Sequence, residues 1–196
     1  MATTLSAALC LSLVAQVGGP QRPPDWLTFD IINPETVGRH RILHLEDMVG
    51  PRRRDDIPSL PQPKAVLLFT ARPSECGALG RCAEVADATK AVRARGVLVL
   101  AVLLGTREEA AAARAEVRRA HHPFGVTFDV HGLIGRGLAL ETPGVFVIMN
   151  DEGLNVGRWT PSNAGDRAEA ARQLQQVRTT LLTLIDKDEK AKETGP

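Results

Sequence analysis

Val97–Leu104 is a run of eight consecutive apolar residues, and no other stretch constrains the fold so tightly. A run of this length, opened by Gly96, reads as a strand buried on both faces. Such a strand belongs in the middle of a sheet with helices above and below. The flanking sequence supplies the other layers. Ala65–Phe69 is a second apolar strand, followed by a helix that ends near Arg95, where Gly96 provides the stop. After the long run, Thr106 and Glu109 have the spacing of a capping box for a helix over Arg107–Ala120. Ala110, Ala113, Val117 and Ala120 form that helix's buried stripe. Alternating strands and helices of this kind predict an α/β layer fold.

The remaining elements fit around this centre. Trp26–Ile32 and Ile42–Leu45 read as two strands joined by a turn at Thr36–Arg41. Val126–Phe128 is a short strand, followed by a stretch broken by Gly132, Gly135 and Gly137. Val145–Met149 and Leu154–Trp159 flank Asn150–Gly153 as a β-hairpin, with Gly153 supplying a positive φ. A last helix over about Asp166–Ile185 buries Ala170, Leu174, Val177, Leu181 and Ile185, and Asp186–Pro196 is a charged, frayed tail. At the other end, Met1–Gly19 resembles a signal peptide: Leu5–Val17 is apolar, and Ala15 and Val17 are small residues near its end. Pro20–Asp25 is a proline-rich linker, which leaves Trp26–Ile185 as the folded domain of an exported protein. Arg52, Arg53 and Arg54 sit in a proline-rich loop that reads as a solvated surface before it reads as an anion site.

A net charge of +1 from 24 basic and 23 acidic residues gives no basic surface for nucleic acid. With 4% aromatic residues and no tyrosine, stacking platforms for bases are also excluded. Three cysteines, Cys10, Cys76 and Cys82, are too few for a disulfide scaffold or a four-ligand zinc site. Removal of the leader would take Cys10 with it. Cys76 follows a strand at the start of the next helix, where amide N–H groups and the helix dipole favour a thiolate. It is therefore the candidate nucleophile. Cys82 shares a helical stripe with Leu79, Val85, Thr89 and Val92, so it is either a core residue or a resolving thiol. Within one regular helix the six-residue separation spans about 9 Å. A disulfide needs Cα atoms within about 7 Å. Bonding thus requires the turn at Gly77 and Gly80 to unwind.

Order and motifs together resemble the thioredoxin-like superfamily, in particular its redoxin branch of alkyl hydroperoxide reductase and thiol-specific antioxidant proteins. The resemblance rests on the strand leading into Cys76, on Thr142-Pro143 before a strand, and on the closing segment PGVFVIMNDEGLNVGRW. Upstream, ETVGRHRILHLEDMVG is similar to the redoxins' N-terminal hairpin. The family likeness implies a three-layer fold, a mixed central sheet with flanking helices and an N-terminal β-hairpin extension. It further implies that Pro143 is cis, that Thr142 and Pro143 face the substrate, and that no cofactor is needed. The partners implied are protein dithiols or disulfides, or a small peroxide. The activity is thiol–disulfide exchange or thiol-based reduction through Cys76, with a non-catalytic binding module on the same fold as the alternative.

Two family patterns are missing. A Cys-x-x-Cys pair would place its second cysteine at Leu79, and the peroxidase signature would need Thr or Ser at Pro73 and Pro at Phe69. His121, His122 and His131 invite a metal reading, since copper-delivering relatives combine two cysteines with a distant histidine. The cysteine spacing differs from theirs, and His121-His122 suits a polar helix end, so no metal is expected.

Overall fold

A computed structural model describes residues 24, 27–49, 62–77, 80–162 and 166–193. The leader, most of the proline-rich linker, the Arg52–Arg54 loop, Leu79 and the last three residues lie outside them. The order is β1 (Thr28–Asp30), β2 (Ile42–His44), α1 (Leu45–Met48), β3 (Ala65–Ala71), α2 (Arg81–Arg93), β4 (Val97–Leu103), α3 (Arg107–Ala120), β5 (Gly125–Phe128), α4 (Leu133–Leu138), β6 (Phe146–Asn150), β7 (Asn155–Trp159) and α5 (Arg167–Glu193).

The main sheet has the strand order β5-β4-β3-β6-β7, with β3, β4 and β5 parallel and β6 and β7 antiparallel to their neighbours. Alternation along β3 splits its side chains between two cores. Ala65, Leu67, Phe69 and Ala71 enter one core, shared with Cys82, Val85 and Val92 of α2 and Val177, Leu181 and Ile185 of α5. Val66 and Leu68 enter the other, with Phe29, Leu43 and Met48 of the N-terminal hairpin segment and Ile134 and Leu138 of α4. The eight-residue run thus forms the doubly covered strand β4. The β1–β2 hairpin is a separate two-stranded sheet covering the second face, tied to β5 by the Ile31–Thr127 bridge.

Two elements depart from the sequence pattern. The glycine-broken stretch contains α4, which starts at Gly132 (φ +64°) and is capped by the buried Asp129 carboxylate. Asp129 accepts from the Ile134 and Gly135 amides at 3.1 and 2.6 Å. Helix α5 continues to Glu193, eight residues beyond Ile185. Lys64 and Arg95 reach its last turns, Lys64 to Glu189 (2.7 Å) and Arg95 to Asp186 (2.7 Å) and Glu189 (2.6 Å). These pairs hold the Glu189 carboxyl below the usual glutamate range, chiefly through the Lys64 hydrogen bond and then that of Arg95.

Because β3, β4 and β5 are parallel, their C-terminal ends lie on one edge of the sheet. The loops toward α2, α3 and α4 all leave from that edge, and antiparallel β6 enters there. This arrangement brings residue 76 and residues 142–145 to the same end of the molecule.

Candidate functional site

Strand β3 passes from Ala71 into a single 3-10 turn, Pro73–Glu75, in which the Glu75 carboxylate accepts from the Arg72 amide (2.6 Å). Cys76 closes that turn, its N–H donating to the Pro73 carbonyl (3.2 Å). Helix α2 starts only at Arg81, with Gly80 as its N-cap. The helix N-terminus expected at Cys76 therefore lies five residues further on, and its first turn contains Cys82.

The unwound segment brings the two cysteines together. Cys76 and Cys82 form a disulfide with Cα atoms 4.9 Å apart. A Cβ on Gly80 would collide with the Glu75 carbonyl oxygen. The absence of a side chain there is what lets the chain fold back on the 3-10 turn. Cys82 is thus both a core residue, on the α2 face with Val85, Thr89 and Val92, and the partner of Cys76. Cys76, expected at the start of the helix, is buried: neither cysteine has any solvent exposure. It lies before the helix and belongs to the core that also holds Phe69, Val85 and Phe124.

His122 is not part of the polar end of α3. Its neighbour His121 adopts φ +47° as the helix C-cap, which turns the chain inward, and His122 is buried. Its Nε2 lies 2.9 Å from the Cys76 carbonyl oxygen. A carbonyl only accepts, so Nε2 is the donor in this bond. The ring stacks on Phe124, with centroids 5.4 Å apart and planes 6° from parallel. Sulfur atoms and imidazole come close: one donor atom from each of Cys76, Cys82 and His122 lies within 4.8 Å of the other two. Side chains remote in sequence hold the segment in place. Asn33 donates to the Phe124 carbonyl and accepts from the Val126 amide, both at 2.8 Å. From α2, Arg93 donates to the Pro123 carbonyl (3.0 Å), and burial lowers its guanidinium from the usual value.

Thr142 and Pro143 reach the same edge through Thr70, a buried residue of β3. The Thr70 hydroxyl donates to the Thr142 carbonyl (2.6 Å) and accepts from the Val145 amide (2.9 Å). It thereby bridges the two ends of the turn. Arg81 supports the loop from the α2 side, donating to the Gly144 carbonyl (3.4 Å), with its guanidinium carbon 5.3 Å from the Phe146 ring centre. The loop therefore rests on the residue next to Cys82. Thr142 is exposed and Pro143 half-buried.

No protein-family model and no curated protein matches the chain. Solved structures do. Peroxiredoxin Q from Xanthomonas campestris superposes with a TM-score of 0.57 at 10% identity, covering 86% of this chain and 99% of its own. Thioredoxin peroxidase I from Plasmodium yoelii gives 0.56 at 14% identity, covering 91% and 95%. A thiol:disulfide interchange protein DsbE, provisionally so designated, from Chlorobium tepidum gives 0.53 at 18% identity, covering 84% and 98%. The fold is thioredoxin-like.

Against the redoxin expectation, one feature is corrected. The Thr142–Pro143 peptide is trans; there are no cis peptide bonds among the described residues. The reason is local. Gly144 follows with φ +91°. Proline followed by a positive-φ glycine is the pair that a type II turn with trans geometry requires. The Thr70 hydroxyl then closes the turn. The sequence reading missed Thr70, Arg81 and His122 as parts of this site. Thr70 had one signal, a polar residue at the end of an otherwise apolar strand. His122 had none beyond its residue type, because its burial depends on contacts with α2 and with Asn33.

Proposed function

We propose that this thioredoxin-fold protein is a dithiol–disulfide protein that exchanges electrons with protein disulfides, using Cys76 and Cys82. The carrying observation is the Cys76–Cys82 disulfide at the C-terminal end of β3, closed over a glycine that nothing larger replaces. Roles follow from the local backbone. Cys76, on irregular chain between a 3-10 turn and Gly77, is the sulfur that a partner attacks or that attacks a partner. Cys82, in the first turn of α2, is the sulfur that leaves or resolves, at the end of the helix where N–H groups favour a thiolate. A good leaving thiolate is a weakly basic one.

In the reducing direction, the Cys76 thiolate attacks one sulfur of a substrate disulfide and expels the other as thiolate. The Cys82 thiolate then attacks Cys76 Sγ, the internal disulfide forms, and the substrate's second thiolate leaves. Two electrons pass from the dithiol to the substrate. Thr142 and Pro143, at the same end of the sheet, line the approach. A small peroxide is the other oxidant that this chemistry accepts: Cys76 would become a sulfenic acid, and Cys82 would condense with it, releasing water. The apolar N-terminal segment supports export, and an oxidising compartment would keep the disulfide formed. No helix among the described residues is long and apolar enough to cross a membrane.

Burial of both sulfurs favours a second reading, a binding module in which the disulfide is a structural staple. One experiment separates the two. The full chain is equilibrated in dithiol/disulfide buffers of graded potential, and free thiols are counted by alkylation and intact mass. Reversible two-electron conversion without unfolding, together with reduction of insulin, supports exchange. A disulfide reducible only in denaturant rules exchange out and leaves the staple. Trapping of a Cys76 sulfenic acid by peroxide in a Cys82→Ser variant, faster than at an ordinary thiol, would assign the peroxidase branch.

A further inference from the structure

We propose that reduction of the Cys76–Cys82 disulfide opens a site for one thiophilic d10 cation, Zn²⁺ or Cu⁺, held by both thiolates and the His122 imidazole. The proposal rests on the disulfide being reducible, and otherwise on the geometry of the three side chains. Donors bound to a common metal at about 2.0–2.3 Å sit some 3–4 Å from one another. Here the three already lie within 4.8 Å while the two sulfurs are bonded. Opening the S–S bond lets the two sulfurs move apart within a cluster whose third donor is already at hand. Gly77 and Gly80, on either side of the turn, are the residues best able to absorb that change.

The donor set selects the metal class. Two thiolates and a neutral imidazole suit soft or borderline ions and disfavour Mg²⁺ and Ca²⁺, which take oxygen ligands. Burial sharpens the choice. Cys76 and Cys82 have no solvent exposure and His122 has 3%. Two bare thiolates there would be costly, whereas a bound cation compensates them. The His122–Cys76 hydrogen bond adds an orienting contact. In metal sites the ring nitrogen that does not ligate commonly donates to a carbonyl, fixing tautomer and ring plane. Here Nε2 donates to the carbonyl of a proposed ligand residue, and the proposal therefore assigns the metal to Nδ1. The redox logic balances. A disulfide plus two electrons and two protons, supplied by an external dithiol, gives two thiols. Metal binding then releases those two protons, and thiol–disulfide exchange with a substrate disulfide, which takes the two electrons and leaves as a dithiol, re-forms the Cys76–Cys82 bond and expels the ion.

The test is an anaerobic competition titration of the reduced and oxidised full chain against a chromophoric chelator, with Zn²⁺ and Cu⁺ in separate arms and Co²⁺ as a spectroscopic probe. The expected result is one equivalent bound by reduced protein and none by oxidised protein, with a thiolate-to-cobalt charge-transfer band. His122→Phe keeps the ring stacked on Phe124 and should weaken binding at least tenfold, roughly the size of effect seen even for outer-shell partners. His122→Gln serves if that variant folds poorly, as judged by its circular dichroism. Reduced protein that binds no tighter than oxidised protein, or no charge-transfer band, overturns the site. Unchanged affinity in folded His122 variants overturns the assignment of His122. The redox titration of the metal-free chain is read separately, so a protein that exchanges electrons but binds no metal loses this inference and keeps the proposed function.

Discussion

Replacing Thr70 by valine tests whether one hydroxyl joins the Pro143 loop to the strand that carries the site. Valine has nearly the shape of threonine, so no cavity opens. What is lost is a donor to the Thr142 carbonyl and an acceptor for the Val145 amide. The Val145 N–H is buried and would be stranded, which costs about 1–3 kcal/mol. The Thr142 carbonyl belongs to an exposed residue and rehydrates, so its loss is near the net value of an ordinary hydrogen bond, about 0.5–1.5 kcal/mol. The two together give about 2–4 kcal/mol. For a domain of this size each kcal/mol moves Tm by roughly 2–4 °C. Thr70→Val should therefore melt roughly 5–15 °C below the parent by calorimetry at neutral pH. Thr70→Ser keeps the hydroxyl and loses a methyl group, worth about 1 kcal/mol. A Thr70→Val protein within about 1 kcal/mol of the parent, or a Thr70→Ser protein as unstable as Thr70→Val, would refute the bridging role.

Two further outcomes follow from the same geometry. Gly80→Ala places a Cβ on the Glu75 carbonyl, so the loop must open and the cysteines separate. After air oxidation the full-length variant should retain three alkylatable thiols by intact mass, Cys10 included, and a single remaining thiol would show that the glycine is dispensable. Glu189, its carboxyl depressed by Lys64 and Arg95, stabilises the fold above the pH at which an unfolded glutamate ionises. That contribution fades as pH falls through the lower folded value. The stability gap between parent and Glu189→Gln should be constant near neutrality and close in the acid range below the ordinary glutamate pKa. A gap independent of pH down to the acid transition would contradict the ion-pair account.

Most of the fold was legible in local pattern. Val97–Leu104 announced a strand covered on both faces, and β4 is that strand. Thr106 and Glu109 make the capping box expected of them, and Gly153 turns the β6–β7 hairpin at φ +80°. These features depend on the period of a side chain or on the chemistry of a few adjacent residues. The α2 start was not legible, because cysteine spacing alone does not say where a helix begins; the Gly80–Glu75 contact does. Nor was the length of α5, whose last turns are held by Lys64 and Arg95 from the segments that lead into β3 and β4.

By itself the sequence determined a central doubly covered strand, an α/β succession, and two cysteines whose bonding required an unwound turn. Tertiary structure alone decided that the turn is unwound, that Cys76 is buried, that His122 faces the cysteines and that the peptide before Pro143 is trans. The physical reason is range. Each of those outcomes rests on a hydrogen bond or close contact fixed only when the chain folds back on itself. Thr70 meets Thr142 across 72 positions, His122 meets Cys76 across 46, and Asn33 meets Phe124 across 91.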